Sequence, residues 1–251
     1  MAGELPMPHG DWALFFDIDG TLIEIASSPA AAIVPPELRA NLAALHGILS
    51  GAVALISGRA IADIDRMFAP LKFAAAGQHG AERRDDLESV VAAPSPELES
   101  IAAALDEFAA GHPGVLVERK GCSLAVHFRQ APQFGDDARA KVQDLVAGAS
   151  NLEWLPARMA CDVRPRGLNK GVAIEWFLAR APFRGRVPIF VGDDVTDEDG
   201  YAVVEARGGY SIRVGFRGDS GARHRLRSPS ELRQWLSRCI GELSQGKARR
   251  E

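Results

Sequence analysis

Two carboxylates one residue apart, Asp17 and Asp19, close the apolar run Trp12–Phe16, with Gly20 and Thr21 directly behind them. Three more acids, Asp193, Asp194 and Asp197, follow a second apolar run at 188–191, Ser57 ends a third, and Lys170 precedes Gly171 and an apolar stretch. Acids at that density need a cation, and oxygen ligands with no histidine or cysteine beside them favour magnesium over zinc. Such an ion screens an anionic nucleophile from an anionic phosphate, so one carboxylate of the pair can attack phosphorus and form an aspartyl-phosphate. The neighbour two residues on points to the same side of an extended chain, placed to protonate the leaving oxygen and then to deprotonate water. Thr21 or Ser57 can donate to the phosphoryl oxygens, and Lys170 can neutralise charge that builds in the transition state.

These residue types also have plainer uses. Asp before Gly is a turn pair, Ser57 suits a helix cap, Glu198 and Asp199 suit an acidic helix start, and a lone lysine is usually solvated. What favours the chemical reading is position, since the acids and Ser57 stand where apolar runs stop and Lys170 stands where one begins. In open parallel sheets ligands collect beyond the carboxyl ends of the strands, where loops and helix N-termini converge.

The elements that must hold these groups follow from the apolar pattern. Continuous runs at 12–16, 52–56, 73–76, 188–191 and 210–214 predict strands buried on both faces, separated by helices at 35–49, 61–68 and 197–206 and closed by an amphipathic helix around Leu232, Trp235, Leu236 and Ile240. That alternation is the order of right-handed parallel units. Between Pro96 and Pro165 the texture becomes helix, two strands, helix, two strands, which predicts antiparallel pairing in a separate layer. The expected fold is therefore α/β, a Rossmann-like parallel-sheet core (residues 1–96 and 166–251) with an inserted α+β cap domain at 97–165.

Composition limits the partners. Of 251 residues 47% are hydrophobic and 25% charged, and the net charge of −4 argues against nucleic acid or an anionic membrane as partner. The basic tail Lys247, Arg249, Arg250 reads as a solvated end. Cys122, Cys161 and Cys239 form no CxxC pair, no apolar stretch approaches a membrane span, and no export signal opens the chain, so a cytoplasmic protein, monomeric for preference, is expected.

The segments 17–21 (Asp-Ile-Asp-Gly-Thr), 57–59 (Ser-Gly-Arg), 169–171 (Asn-Lys-Gly) and 192–198 (Gly-Asp-Asp-Val-Thr-Asp-Glu) resemble, in order, the four motifs of haloacid dehalogenase-type phosphatases. The resemblance implies a haloacid dehalogenase-like fold with Asp17 as nucleophile, Asp19 as general acid and base, and Ser57 and Lys170 on the phosphate. It further implies magnesium on Asp17, on the main-chain oxygen of Asp19 and on Asp193, with Asp194 or Asp197 in support. Segments 77–82, 117–121, 125–129 and 163–165 are similar to those of the trehalose-6-phosphate phosphatases. That likeness implies a sugar phosphate substrate, with Glu118, Lys120 and Asp162 on the sugar hydroxyls and Gly58, Arg59 and His79 near the mouth of the site. Asp162 departs from the pattern, which has glutamate there. Rival readings in the same chemistry are phosphatases for sucrose 6-phosphate or mannosyl-3-phosphoglycerate. A phospho-accepting receiver is disfavoured because Asp19 promotes turnover and a receiver has no use for the inserted domain; a phosphosugar mutase would be told apart by needing a bisphosphate activator and releasing no free phosphate.

Overall fold

Trp12–Phe16 are five apolar residues without alternation, and in the computed structural model of the chain all five are buried as strand β1. A central parallel strand has both faces covered, which is why the run carries no polar member. The structure describes residues 5–157, 159–215 and 218–248; Arg249 and Arg250 of the basic tail lie outside them.

In chain order the elements are β1 (Trp12–Phe16), α1 (Pro36–Ile48), β2 (Val53–Ile56), α2 (Ile61–Phe68), β3 (Ala74–Gly77), β4 (Glu82–Arg84), β5 (Ser89–Val91), α3 (Pro96–Ala110), β6 (Leu116–Arg119), β7 (Leu124–His127), α4 (Gly135–Ala147), β8 (Leu152–Ala157), β9 (Ala160–Pro165), α5 (Lys170–Leu178), β10 (Val187–Gly192), α6 (Glu198–Ala206), β11 (Tyr210–Val214), β12 (His224–Leu226) and α7 (Pro229–Ala248). The chain packs as two compact units, one of residues 1–89 with 169–251 and one of residues 90–168. The pattern reading placed the insert at 97–165.

In the first unit the sheet order is β12-β11-β10-β1-β2-β3-β4. From β1 the chain moves outward through β2 and β3, and from β10 it moves outward on the other side through β11 and β12; all these pairs are parallel. The direction of travel reverses between β1 and β10, so their carboxyl ends flank the crevice where such sheets bind ligands. Asp17 follows β1 and Gly192 ends β10. β4 turns back antiparallel to β3. β4, β5 and β12 have only three residues each, too few to show an apolar period, and the sequence pattern does not reveal them.

One apolar core runs through the first unit, joining β1, β2 and β10 to Leu38, Leu42 and Leu45 of α1 and Leu232, Trp235 and Leu236 of α7. Burying each such side chain stabilises the fold by about 1.5–3 kcal/mol. In the second unit the antiparallel sheet has the order β6-β7-β9-β8. Leu124, Val126, Cys161 and Val163 share a core with Leu98, Ile101 and Leu105 of α3 and Val142 and Val146 of α4. Because side chains alternate along a strand, the residues between them stand on the opposite, polar face.

Candidate active site

Three elements of the first unit bring buried charge together. Asp17 leaves β1 with its N–H donating to the Val191 carbonyl oxygen at 2.9 Å, so the two central strands fix its backbone. Asn169 caps α5, its Oδ1 accepting from the Val172 N–H at 2.8 Å, and this sets Lys170 in the first helical turn. The Lys170 ammonium donates to Asp17 Oδ1 at 2.8 Å and to Asp197 Oδ1 at 2.7 Å. All three side chains are removed from water, which strengthens their mutual attraction and makes any unpaired charge among them costly.

Carboxylate oxygens of Asp17, Asp193 and Asp197 lie within 4.8 Å of one another. Burial pushes the Asp17 carboxyl up to about 7 against the lowering influence of Lys170, with Asp197 adding to the rise. Burial, then Asp17 and Asp197, raise Asp193 to about 9. Burial alone would lower Lys170, but Asp17, Asp197 and Asp194 hold it well above its usual value. One lysine therefore does not neutralise the cluster, and a divalent cation fits what is missing.

The oxygens differ in what they already hold. Asp197 uses both, Oδ1 on Lys170 and Oδ2 accepting from the N–H groups of Asp193 and Asp194 at 2.9 and 3.0 Å. Asp193 Oδ1 accepts from the Thr21 hydroxyl at 3.1 Å. Among the described residues no hydrogen bond reaches Oδ2 of Asp17 or Oδ2 of Asp193. Hard oxygen donors of this kind could hold a divalent cation among Asp17, Asp193 and Asp197.

Two glycines are dictated by crowding here. Gly20 has φ +86°, and a Cβ there would stand 2.2 Å from Asp193 Oδ2; a Cβ on Gly192 would stand 2.3 Å from Asp197 Cγ. The carboxylates thus pack directly onto main chain, and only glycine lets them approach.

The remaining motif residues sit around this cluster with other attachments. The carboxylate of Asp19 is outside the group of three and is forked by Arg59, Nε to Oδ2 at 2.5 Å and Nη2 to Oδ1 at 2.7 Å. Asp194 accepts on Oδ1 from the Thr196 N–H and hydroxyl at 2.8 and 2.6 Å, capping the turn before α6. Ser57 is buried after β2, its Oγ accepting from the Arg59 N–H at 3.2 Å. Thr21, which the residues alone offered to phosphate, is held by Asp193. His79 takes the left-handed conformation at φ 56° between Gln78 at 49° and Gly80 at 97°, and its ring lies so close to Gly58 that a Cβ there would meet Nε2 at 2.6 Å. Glu82 supports this turn by accepting from the Gln78 amide and from the Ile61 N–H at 2.7 Å; its part was not visible in the sequence.

In the second unit Glu118 stands opposite Ala125, and Ala125 opposite Asp162, so the two acids share one row of the polar face about 10 Å apart across two strand spacings. Glu118 Oε2 accepts from His127 Nε2–H at 2.8 Å and lies 3.4 Å from the Lys120 ammonium. The His127 hydrogen bond, and after burial's opposing effect the Lys120 charge, hold the Glu118 carboxyl down at about 2.

The family model described as trehalose-phosphatase matches residues 15–231. The trehalose-6-phosphate phosphatase of Escherichia coli is 38% identical over 244 residues, 96% of this chain and 91% of the relative. A protein of Sinorhizobium fredii named probable trehalose-phosphate phosphatase is 43% identical over 211 residues, 82% of this chain and 78% of the relative. Among solved structures, the C-terminal domain of the C. albicans trehalose-6-phosphate phosphatase superposes with a TM-score of 0.82 at 24% identity, covering 92% of each chain. A phosphatase of the haloalkanoate (HAD) superfamily from Bacteroides thetaiotaomicron shares the fold at a TM-score of 0.65 and 17% identity, over 95% of this chain and 99% of that one.

Proposed function

Because the chain belongs to the trehalose-phosphatase family, we propose that it hydrolyses trehalose 6-phosphate to trehalose and phosphate in two steps at Asp17, with magnesium beside that carboxylate. The observation that carries this reading is the Lys170 ammonium between Asp17 and Asp197 inside a three-carboxylate group at the reversal point of the sheet. An oxygen of Asp17 attacks phosphorus, the sugar oxygen leaves, and an aspartyl-phosphate results. Asp19 gives the leaving oxygen its proton and afterwards, as a carboxylate, takes one from the water that splits the acyl phosphate. A bound divalent ion supplies the screening that lets one anion approach another. Ser57 and Lys170 take the phosphoryl oxygens, Gly58, Arg59 and His79 stand at the mouth of the site, and Asp193 with Asp17 would hold the ion. Asp194 and Asp197 are then supports, with the main-chain oxygen of Asp19 completing the ligand set.

Glu118, Lys120 and Asp162 are assigned to the sugar hydroxyls, as groups that each give or accept several hydrogen bonds. No helix of the described residues is long and apolar enough to cross a membrane, and the three cysteines are buried and in no disulfide. A cytoplasmic monomer is the state we assign.

The test is phosphate release from trehalose 6-phosphate, sucrose 6-phosphate and mannosyl-3-phosphoglycerate, with and without EDTA. Release from the trehalose ester alone, lost with EDTA and restored by excess Mg²⁺, is the expected result. Equal turnover of all three would overturn the substrate, and turnover indifferent to EDTA would overturn the metal.

A further inference from the structure

On the polar face of the second unit's sheet, a histidine holds an acid by one oxygen only. The register sets Leu116 opposite His127 and Glu118 opposite Ala125, so His127 and Glu118 are diagonal neighbours on that face, within reach of long side chains. The His127 Nε2–H donates to Glu118 Oε2 at 2.8 Å, and the Lys120 ammonium stands 3.4 Å from the same oxygen. Among the described residues no hydrogen bond reaches Glu118 Oε1, and the side chain is 35% exposed. A glutamate otherwise loses rotamer freedom when a ligand fixes it. One hydrogen bond and one ion-pair contact on Oε2 limit that freedom beforehand and leave Oε1 to accept from a ligand.

We propose that His127 is a positioning residue for substrate selection: it sets the Glu118 carboxylate so that Oε1 accepts a sugar hydroxyl. The inference rests on the assignment of Glu118 to the sugar. His127 touches no atom of the phosphate chemistry, so its loss weakens binding of the sugar and leaves the phosphoryl transfer alone. A histidine that merely packs in the sheet would behave differently, because its replacement would lower the melting temperature without moving KM.

The experiment is steady-state kinetics on trehalose 6-phosphate for His127→Ala, His127→Gln and His127→Asn, each with a thermal melt. His127→Ala is expected to raise KM about tenfold, equivalent to about 1.4 kcal/mol, with kcat within about twofold. Gln, whose amide N–H can reach the same oxygen, restores most of the affinity, and Asn, one methylene shorter, does not; this pair answers the question even where the alanine variant fails to fold. In a Glu118→Ala background, His127→Ala adds less than about twofold to KM, as coupled residues do. Unchanged KM in His127→Ala, or an equal rise in both backgrounds, overturns the proposal. If Glu118→Ala itself leaves KM unchanged, the sugar assignment has failed and the positioning role with it; if Glu118→Ala raises KM and His127→Ala does not, only the positioning role has failed.

Discussion

Asp17, Lys170 and Asp197 are 5%, 2% and 0% exposed, whereas the side chains of Glu118, Lys120 and His127 keep 35%, 18% and 32% of their exposure. Both clusters are small networks of acid and base, yet they are held in opposite ways. The first is seated on backbone: β1 and β10 fix the Asp17 N–H, an asparagine cap fixes Lys170, and two main-chain N–H groups occupy Asp197. The second stands on the face of a sheet, where the β6–β7 pairing holds the backbone of Glu118 and His127 and the side chains contact one another. A buried charge that loses its partner cannot be rescued by water, while a half-exposed one can. Chemistry that must not vary is therefore well placed in the dry cluster, and recognition that tolerates adjustment in the wet one.

The sharpest way to break this contrast is Asp17→Asn. On the proposed mechanism it removes the attacking oxygen while keeping size, and phosphate release should fall about 10⁴-fold or more, as it does when a covalent nucleophile is deleted. Next is Lys170→Met, which strands Asp17 and Asp197 without their cation. Removing one partner from a buried ion cluster costs about 3–5 kcal/mol, to be read from urea unfolding in EDTA; a loss under about 1 kcal/mol would mean that the cluster is not dry. The smallest expected effect is in the second unit. Glu118 is held at about 2, below its ordinary value of 4.5, so its contribution to stability is fully present above about pH 4.5 and is lost as the pH falls toward 2. Melting temperature followed across that window should fall less steeply in His127→Ala than in the parent chain. Identical slopes would show that the histidine does not hold the acid.

Much of the core was legible because burial on both faces leaves an unbroken apolar run. Tyr210–Val214 and Ile61–Phe68 coincide with their expected spans, and the helix read at 35–49 forms at Pro36–Ile48. The short edges were not, since three residues carry no period. The bond of His127 to Glu118 left no trace in the sequence, because a diagonal pair depends on the register of β6 against β7 and nothing in either strand alone records it. Thr21 illustrates the same limit: its neighbours suggest a phosphate donor, and its partner proves to be Asp193, 172 positions away.

Local order along the chain determined which residues end strands, which begin helices, and hence that Asp17, Asp19, Ser57, Lys170 and Asp193 belong to strand and helix termini. Those assignments depend on side-chain size, polarity and backbone preference within a few residues. Only the tertiary structure decided which oxygen of each acid is already occupied, that Gly20 and Gly192 are required for clearance, and that Glu118 shares a row with Asp162. The physical reason is distance: hydrogen bonds and Coulomb forces inside a protein act over a few ångströms, and separation along the chain does not record which groups come that close.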